Sequence, residues 1–254
     1  MGSKLVKKWK VLVIGDACKD VYVYGECVRM CPDAPVPVFI PRKTTEGGGM
    51  ARNVQRNISS LGVECDVLCN SERITKTRYV DEKTNHMFLR VDSNEEEIRR
   101  IEGDFCTRLE DYDAIVVSDY DKGYLTREDI SKICNSHPLV YVDTKKPLGQ
   151  WLNGSTYIKI NEAEFQSSRP YSTLEALEEK LIVTLSSSGC RHRGEIYPVE
   201  RVDVKDSSGA GDTFLAGLVV KYLETSDIAS AIEFANECAT NVVQHRGVNS
   251  VGEL

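Results

Sequence analysis

The residues best suited to chemistry lie in one run, Asp206-Ser207-Ser208-Gly209-Ala210-Gly211-Asp212-Thr213, just ahead of an apolar stretch that starts at Phe214. Glycines at a helix start leave backbone N–H groups unpaired and approachable, and the helix dipole adds positive potential there. Gly209, Ala210 and Gly211 would then form an anion hole suited to the charge spread over a transferring phosphoryl group. Asp212 falls in the first turn, where its carboxylate can take a proton from an attacking hydroxyl. Spacing alone is equally compatible with a Gly-rich turn followed by a helix-favouring Asp. The two common nucleotide loops are absent. No GxxxxGK[ST] occurs, and both GxGxxG candidates fail at the third glycine, with Arg52 in one and Phe214 in the other.

Such a loop needs a scaffold, and the chain alternates strand-like with helix-like runs. Val11 to Ile14, Ala114 to Val117, Leu139 to Val142, Tyr157 to Ile160 and Leu181 to Leu185 read as buried parallel strands. They end in Asp16, Asp119, Asp143, Asn161 and Ser186. Ligands of open α/β sheets bind outside the carboxyl ends of the strands, so these polar ends sketch one cleft. Helices are predicted from Ala51 to Leu61, from Thr126 with a capping pattern at Asp129, from the glycines after Asp206, and from Asp227 to Val243. The helix after Asp206 reads as amphipathic, with Phe214, Leu215, Leu218, Val219 and Tyr222 on one face. The alternation predicts a doubly wound α/β fold with a mostly parallel sheet. Residues 21–40 and 74–92 alternate instead at strand spacing, and predict a small β lid over the cleft or a β-extension used for dimerisation.

Composition narrows the function classes. A chain of 254 residues, 41% hydrophobic and 28% charged, suits one continuous domain over 1–254 that buries its core without metal or disulfide. The net charge of -7 argues against nucleic acid or an anionic membrane as partner. No apolar run approaches the ~20 residues that span a bilayer. Met1 to Val6 matches neither an export signal nor a myristoylation site. Nine scattered cysteines without a CxxC pair read as reduced thiols, hence a cytoplasmic setting. The four histidines have no spacing partners.

The motif Asp206-x-x-Gly-Ala-Gly-Asp212 resembles the C-terminal signature of the ribokinase (PfkB-type) carbohydrate kinases. Gly15-Asp16-Ala-Cys-Lys-Asp20 resembles that family's first strand, Gly47-Gly48-Gly49-Met50-Ala-Arg-Asn53 its sugar loop, and Asn161-Glu-Ala-Glu164 its NxxE element. Within the family, Tyr22-x-Tyr24-Gly25, Arg29 to Val38 and Ser118-Asp119-Tyr120-Asp-Lys122-Gly123 are similar to the kinases of D-glycero-D-manno-heptose 7-phosphate. The resemblance implies a ribokinase-like fold and transfer of the ATP γ-phosphate to the C1 hydroxyl of that sugar phosphate. It implies Asp212 as base and Gly209 to Gly211 as anion hole. Asp20, Gly48, Gly49 and Asn53 would hold sugar hydroxyls. Lys76, Arg78, Arg90 and Lys122 are candidates for the 7-phosphate, and Lys145 for ATP phosphates. Ser186, Gly189 and Asn236 would line the nucleotide side. Asn161 and Glu164 would hold Mg²⁺ through water, and Asp206 a monovalent cation such as K⁺. A homodimer through the lid is expected.

Three departures stand out. Met50 replaces the second glycine of the usual sugar loop and would narrow the pocket, Thr144 replaces a proline, and Ser186-Ser-Ser-Gly189 replaces a turn bearing a basic residue or Gly. The chain is also short of the family pattern by about one βα unit after Cys69, and reduced between Glu164 and Leu181. Two further readings therefore stand beside the first: a kinase of another sugar, and a sugar- or nucleotide-binding homologue without turnover.

Overall fold

Strand β1 (Lys10–Gly15) shows why the main sheet is covered on both faces. Val11 and Val13 enter one core, and Leu12 and Ile14 enter the other. Successive side chains of a strand point to opposite faces, so an unbroken apolar run needs a packed layer on each side. The computed structural model describes residues 8–95, 98–168, 174–247 and 249–253, so the expectations for Met1 to Val6 lie outside the described residues.

One residue, Asp16, separates β1 from β2 (Ala17–Met30), which leaves the main sheet and pairs antiparallel with β3 (Pro37–Met50). Helix α1 (Ala51–Ser60) leads back to β4 (Glu64–Cys69). β5 (Thr75–Asp81) and β6 (Met87–Ser93) complete the small sheet, in the order β3-β2-β5-β6. The main sheet resumes with β7 (Ala114–Asp119), α2 (Arg127–Ser136), β8 (Val140–Thr144) and β9 (Tyr157–Asn161). α3 (Glu162–Ser168), α4 (Leu174–Leu177) and β10 (Leu181–Thr184) follow. The short strands β11 (Cys190–His192) and β12 (Glu195–Tyr197) precede α5 (Ala210–Thr225) and α6 (Ile228–Val242). The eight-stranded sheet has the order β12-β11-β10-β9-β8-β7-β1-β4 and is parallel except at its β11 and β12 edge. This is the expected doubly wound, mostly parallel α/β architecture with a small second sheet. No helix among the described residues is long and apolar enough to cross a membrane.

Local chemistry explains the helix ends. Thr126 and Asp129 form a full capping box at α2, and the Asp227 carboxylate accepts from the N–H groups of Ala229 and Ser230 at α6. Several expectations need correction. The small sheet begins at Ala17 rather than near residue 21, and its first hairpin runs on to Met50. Gly47, Gly48 and Gly49 are therefore strand residues, paired with Asp20, Lys19 and Cys18. α5 is not amphipathic: Asp212 to Val220 are all buried, because α1 and α6 both pack against it. Past Cys69 the chain passes straight to β5.

The sheet also encloses a charge pair. Parallel register sets Lys159 on β9 opposite Asp143 on β8, with Nζ 2.7 Å from Oδ2 and side chains only 4% and 2% exposed. Removing one partner strands an uncompensated buried charge. Lys159→Met is expected to lower unfolding stability by about 3–5 kcal/mol, and adding Asp143→Leu to recover most of that loss. Urea unfolding of the two variants checks both outcomes.

Candidate active site

The glycine turn and the residue that follows it form the centre of the site. Gly209 caps α5 in the left-handed region at φ 81°, and the helix begins at Ala210. The Ala210 N–H is drawn back to the Ser207 carbonyl at 3.3 Å. By helix geometry the N–H groups of Gly211 and Asp212 have no partner inside the helix. Of the expected anion hole, Gly211 is thus the best-placed donor, whereas Ala210 is already engaged. A Cβ at position 211 would lie 2.8 Å from Lys159 Nζ, so the buried ammonium sits directly against the turn.

Asp212 is 5% exposed and held from two elements. Asn53 of α1 donates Nδ2–H to Oδ2 at 2.8 Å, and the Tyr120 hydroxyl, just past β7, donates to Oδ1 at 2.7 Å. Burial pushes the Asp212 pKa upward, and these two hydrogen bonds oppose the shift. Asn53 is itself fixed, since its Oδ1 accepts from Arg56 Nη2 at 3.1 Å. Asn53 therefore meets Asp212 rather than Asp20.

Asp20 is paired instead with Arg78, Nη1 to Oδ1 at 2.5 Å, and the guanidinium lies 5.0 Å from the Tyr22 ring. Gly49 is needed beneath it, because a Cβ at that position would fall 2.0 Å from Asp20 Oδ2. Gly48 faces Arg52. The other expected phosphate cations have acidic partners too. Arg90 forms a two-pronged pair with Asp92, and Lys122 Nζ lies 2.6 Å from Glu95, where Lys76 also converges at 3.9 Å. Arg78 and Arg90 stand opposite each other across β5 and β6. Burial lowers the Lys76 pKa.

On the other side of the turn, Ser186, Gly189, Asn236, Ala210 and Gly211 border one cavity of ≈ 440 Å³. Its walls are largely apolar, with Val199, Val202, Val204, Phe214 and Val243 among them, and its size is that of a small-molecule pocket. The Asn236 side-chain amide donates to the Tyr197 carbonyl at 3.0 Å. Asn161 and Glu164 cap one another at the start of α3: the Asn161 N–H and Nδ2–H donate to Glu164, whose own N–H donates to Asn161 Oδ1. Lys145 also binds Glu164. Burial lowers the Lys145 pKa, but Asp143 and Glu164 outweigh it and leave it above the usual value. Asp206 turns toward the protein, accepting from the Ser208 N–H at 2.9 Å and the Gly247 N–H at 3.1 Å.

Two strand-end carboxylates lie under the cleft as latches. Asp16 accepts from the N–H groups of Tyr120, Lys122 and Tyr124, and Asp119 binds Thr144 and Lys146. Lys159 and Tyr120 are the important residues that sequence reasoning left without a role. A lysine inside the apolar run Tyr157 to Ile160, one strand from an Asp, was the available signal for the first. For Tyr120 only its place in the Ser118 to Gly123 motif pointed to the site.

Known proteins resemble the chain in sequence and in fold. The model of the pfkB family carbohydrate kinases matches residues 70–253. Bifunctional protein HldE of Helicobacter pylori strain J99 is 31% identical over 293 aligned positions, covering 94% of this chain, and that of Rhodopseudomonas palustris strain BisA53 is 32% identical, covering 98%. The chain spans 63% of the length of each of these curated relatives. The H. pylori alignment has more positions than this chain has residues, so that relative carries insertions absent here. Among solved structures, a ribokinase from Thermotoga maritima superposes with a TM-score of 0.70 at 15% identity, covering 94% of both chains. Arabidopsis thaliana ribokinase complexed with ribose and ATP superposes with a TM-score of 0.66 at 14% identity, covering 98% of this chain and 96% of the other. With a ribokinase-like fold, the glycine turn and a buried aspartate at its edge, the chain belongs to the pfkB family of carbohydrate kinases, phosphotransferases that act on sugars.

Proposed function

We propose that the chain transfers the γ-phosphate of ATP to the C1 hydroxyl of D-glycero-D-manno-heptose 7-phosphate. The observation that carries the reading is the position of Gly211 and Asp212: the first borders the ≈ 440 Å³ cavity, and the second is a buried carboxylate on the neighbouring residue. ATP would occupy that cavity with adenine toward Asn236 and its terminal phosphate at the Gly211 N–H. The solved ribokinase that holds ribose and ATP supports a nucleotide and a sugar meeting on this fold. Asp212 then takes the C1 proton as the hydroxyl attacks in line. Lys159, against Gly211, places positive charge under the γ-phosphate, and Lys145 offers a second cation.

The donor set fits a hydrated Mg²⁺ carried on the phosphates. Among the described residues no group of three or more acidic, His or Cys side chains gathers to cage a metal, and Mg²⁺ needs few protein ligands. Asp143 Oδ1 is buried without a hydrogen-bond partner, and Glu164 lies across Lys145 from it. Glu164 and the Asn161 fixed to it would hold the ion through water, with Asp143 beside them, and it would neutralise charge on the phosphates. Asp206 closes the loop against Gly247, so a monovalent cation would be a neighbour of that contact.

The acceptor rests on the resemblance of the N-terminal and Ser118 to Gly123 segments to heptose 7-phosphate kinases. Lys76 and Lys122 support it: both converge on Glu95, which a phosphate dianion would displace. The small sheet would act as the lid. Val28, Met30, Met87 and Leu89 lie exposed on it, and a second copy of the chain would cover them. One observation favours the reading without turnover: Asp212 and Asp20 both have their carboxylates engaged by protein donors.

A coupled assay of ADP release decides among these. Heptose 7-phosphate is expected to exceed the unphosphorylated heptose in kcat/KM by at least about 10²-fold. Preference for another sugar would replace the acceptor, and ATP binding without ADP release across a sugar panel would establish the binding protein. Asp212→Asn is expected to lower kcat by about 10²–10⁴-fold with ATP affinity retained. Turnover near the parental value would remove Asp212 as the base.

A further inference from the structure

We propose that Tyr120 is the positioning residue for the base: its hydroxyl fixes Asp212 Oδ1, and with Asn53 on Oδ2 it holds the carboxylate in one orientation and in its ionised form. The inference rests on Asp212 acting as base, as set out above. A carboxylate on a short side chain can rotate about its last torsion, and a single donor would not stop it. Donors on both oxygens, from two different elements, do.

Tyr120 is suited to this because it is held at both ends. Its backbone N–H donates to Asp16 Oδ2 at 2.7 Å, and its hydroxyl donates to Asp212 at 2.7 Å. Its ring packs with Cys18, Met50 and Ile74. Met50 takes φ 58°, a conformation that favours glycine, so a side chain is kept here at some backbone strain. Its buried side chain fills space beside the ring. The residue that departs from the usual sugar loop thus supports the tyrosine that grips the base. Two ammonium groups flank the same ring, Lys76 Nζ at 5.7 Å from the small sheet and Lys145 Nζ at 5.2 Å from the end of β8.

The charged and titratable surroundings of Asp212 make the role measurable. Asp143 raises its pKa and Lys159 lowers it, and Cys18 and Lys145 also lie within its electrostatic reach. Tyr120 and Asn53 each donate a hydrogen bond to one of its two carboxylate oxygens. Burial favours the protonated acid and both hydrogen bonds favour the ionised one. Loss of the phenol therefore moves the Asp212 titration to higher pH. Retention of the ring in Tyr120→Phe keeps the packing on Met50 and the two ammonium contacts.

The test is a titration of the unliganded full chain labelled with ¹³C at aspartate carboxyls, the Asp212 resonance being assigned by its disappearance in Asp212→Asn. In Tyr120→Phe the Asp212 midpoint is expected to rise by half a pH unit or more, about threefold in the protonation constant. An unchanged or lower midpoint overturns the proposal. A second measurement needs no variant: in the parental protein the ring ¹³Cζ resonance of Tyr120 is expected to move with the same midpoint as the Asp212 carboxyl. Independent midpoints overturn it too. Both readouts are free of turnover, so they stand apart from the kinetic test of Asp212→Asn, whose failure would remove the base assignment itself.

Discussion

A carboxylate withdrawn from water has to be hydrogen-bonded or paired, or it takes up a proton and ceases to be a base. Asp212 sits at the start of a helix that is buried on nearly every side, so its partners must come from other parts of the chain. Asn53 arrives from α1 and Tyr120 from the end of β7, and each is fixed in turn, Asn53 by Arg56 and Tyr120 by Asp16. The order of strands in the main sheet serves this requirement. With β1 beside β7, and α1 packed against α5, donors distant in sequence meet one side chain. The Lys159–Asp143 pair meets the same requirement one strand further on, and its ammonium reaches the glycine turn because position 211 has no side chain.

The two sides of the turn differ in character. One side is an apolar cavity with few polar groups, Asn236 among them, suited to a flat ligand oriented by single contacts. The other side is dense with charge: Asp20 pairs with Arg78, and Lys76 and Lys122 converge on Glu95. Buried ion pairs give little net stability, since desolvation offsets their attraction. A polar ligand that supplies both hydroxyls and negative charge would therefore replace these internal partners at modest cost.

What the sequence made legible follows from which signals are local. β1, β7 and β8 announced themselves as apolar runs, and the caps of α2 and α6 as Thr126 with Asp129 and as Asp227. β4 did not, because Glu64 and Asp66 interrupt its apolar residues at the sheet edge, and β11 and β12 are too short for any period to show. α5 was misread as one-faced, although Ala216, Gly217 and Val220 complete an apolar circumference that a second packing helix can cover. Gly47 to Gly49 suggested a loop, whereas pairing with β2 draws them into a strand. Asp20, Asn53 and Asp212 are expected from the sequence as site residues, but that Asn53 meets Asp212 while Asp20 meets Arg78 depends on the packing of α1 and on strand register, which no single segment encodes.

Asp16 is the one residue between β1 of the main sheet and β2 of the small one, and its carboxylate accepts a hydrogen bond from the Tyr120 N–H. The point where the chain leaves one sheet for the other and the backbone that carries the tyrosine are thereby pinned at a single carboxylate. The start of the small sheet and the hydroxyl on Asp212 share one anchor, so a change at Asp16 would be felt at both.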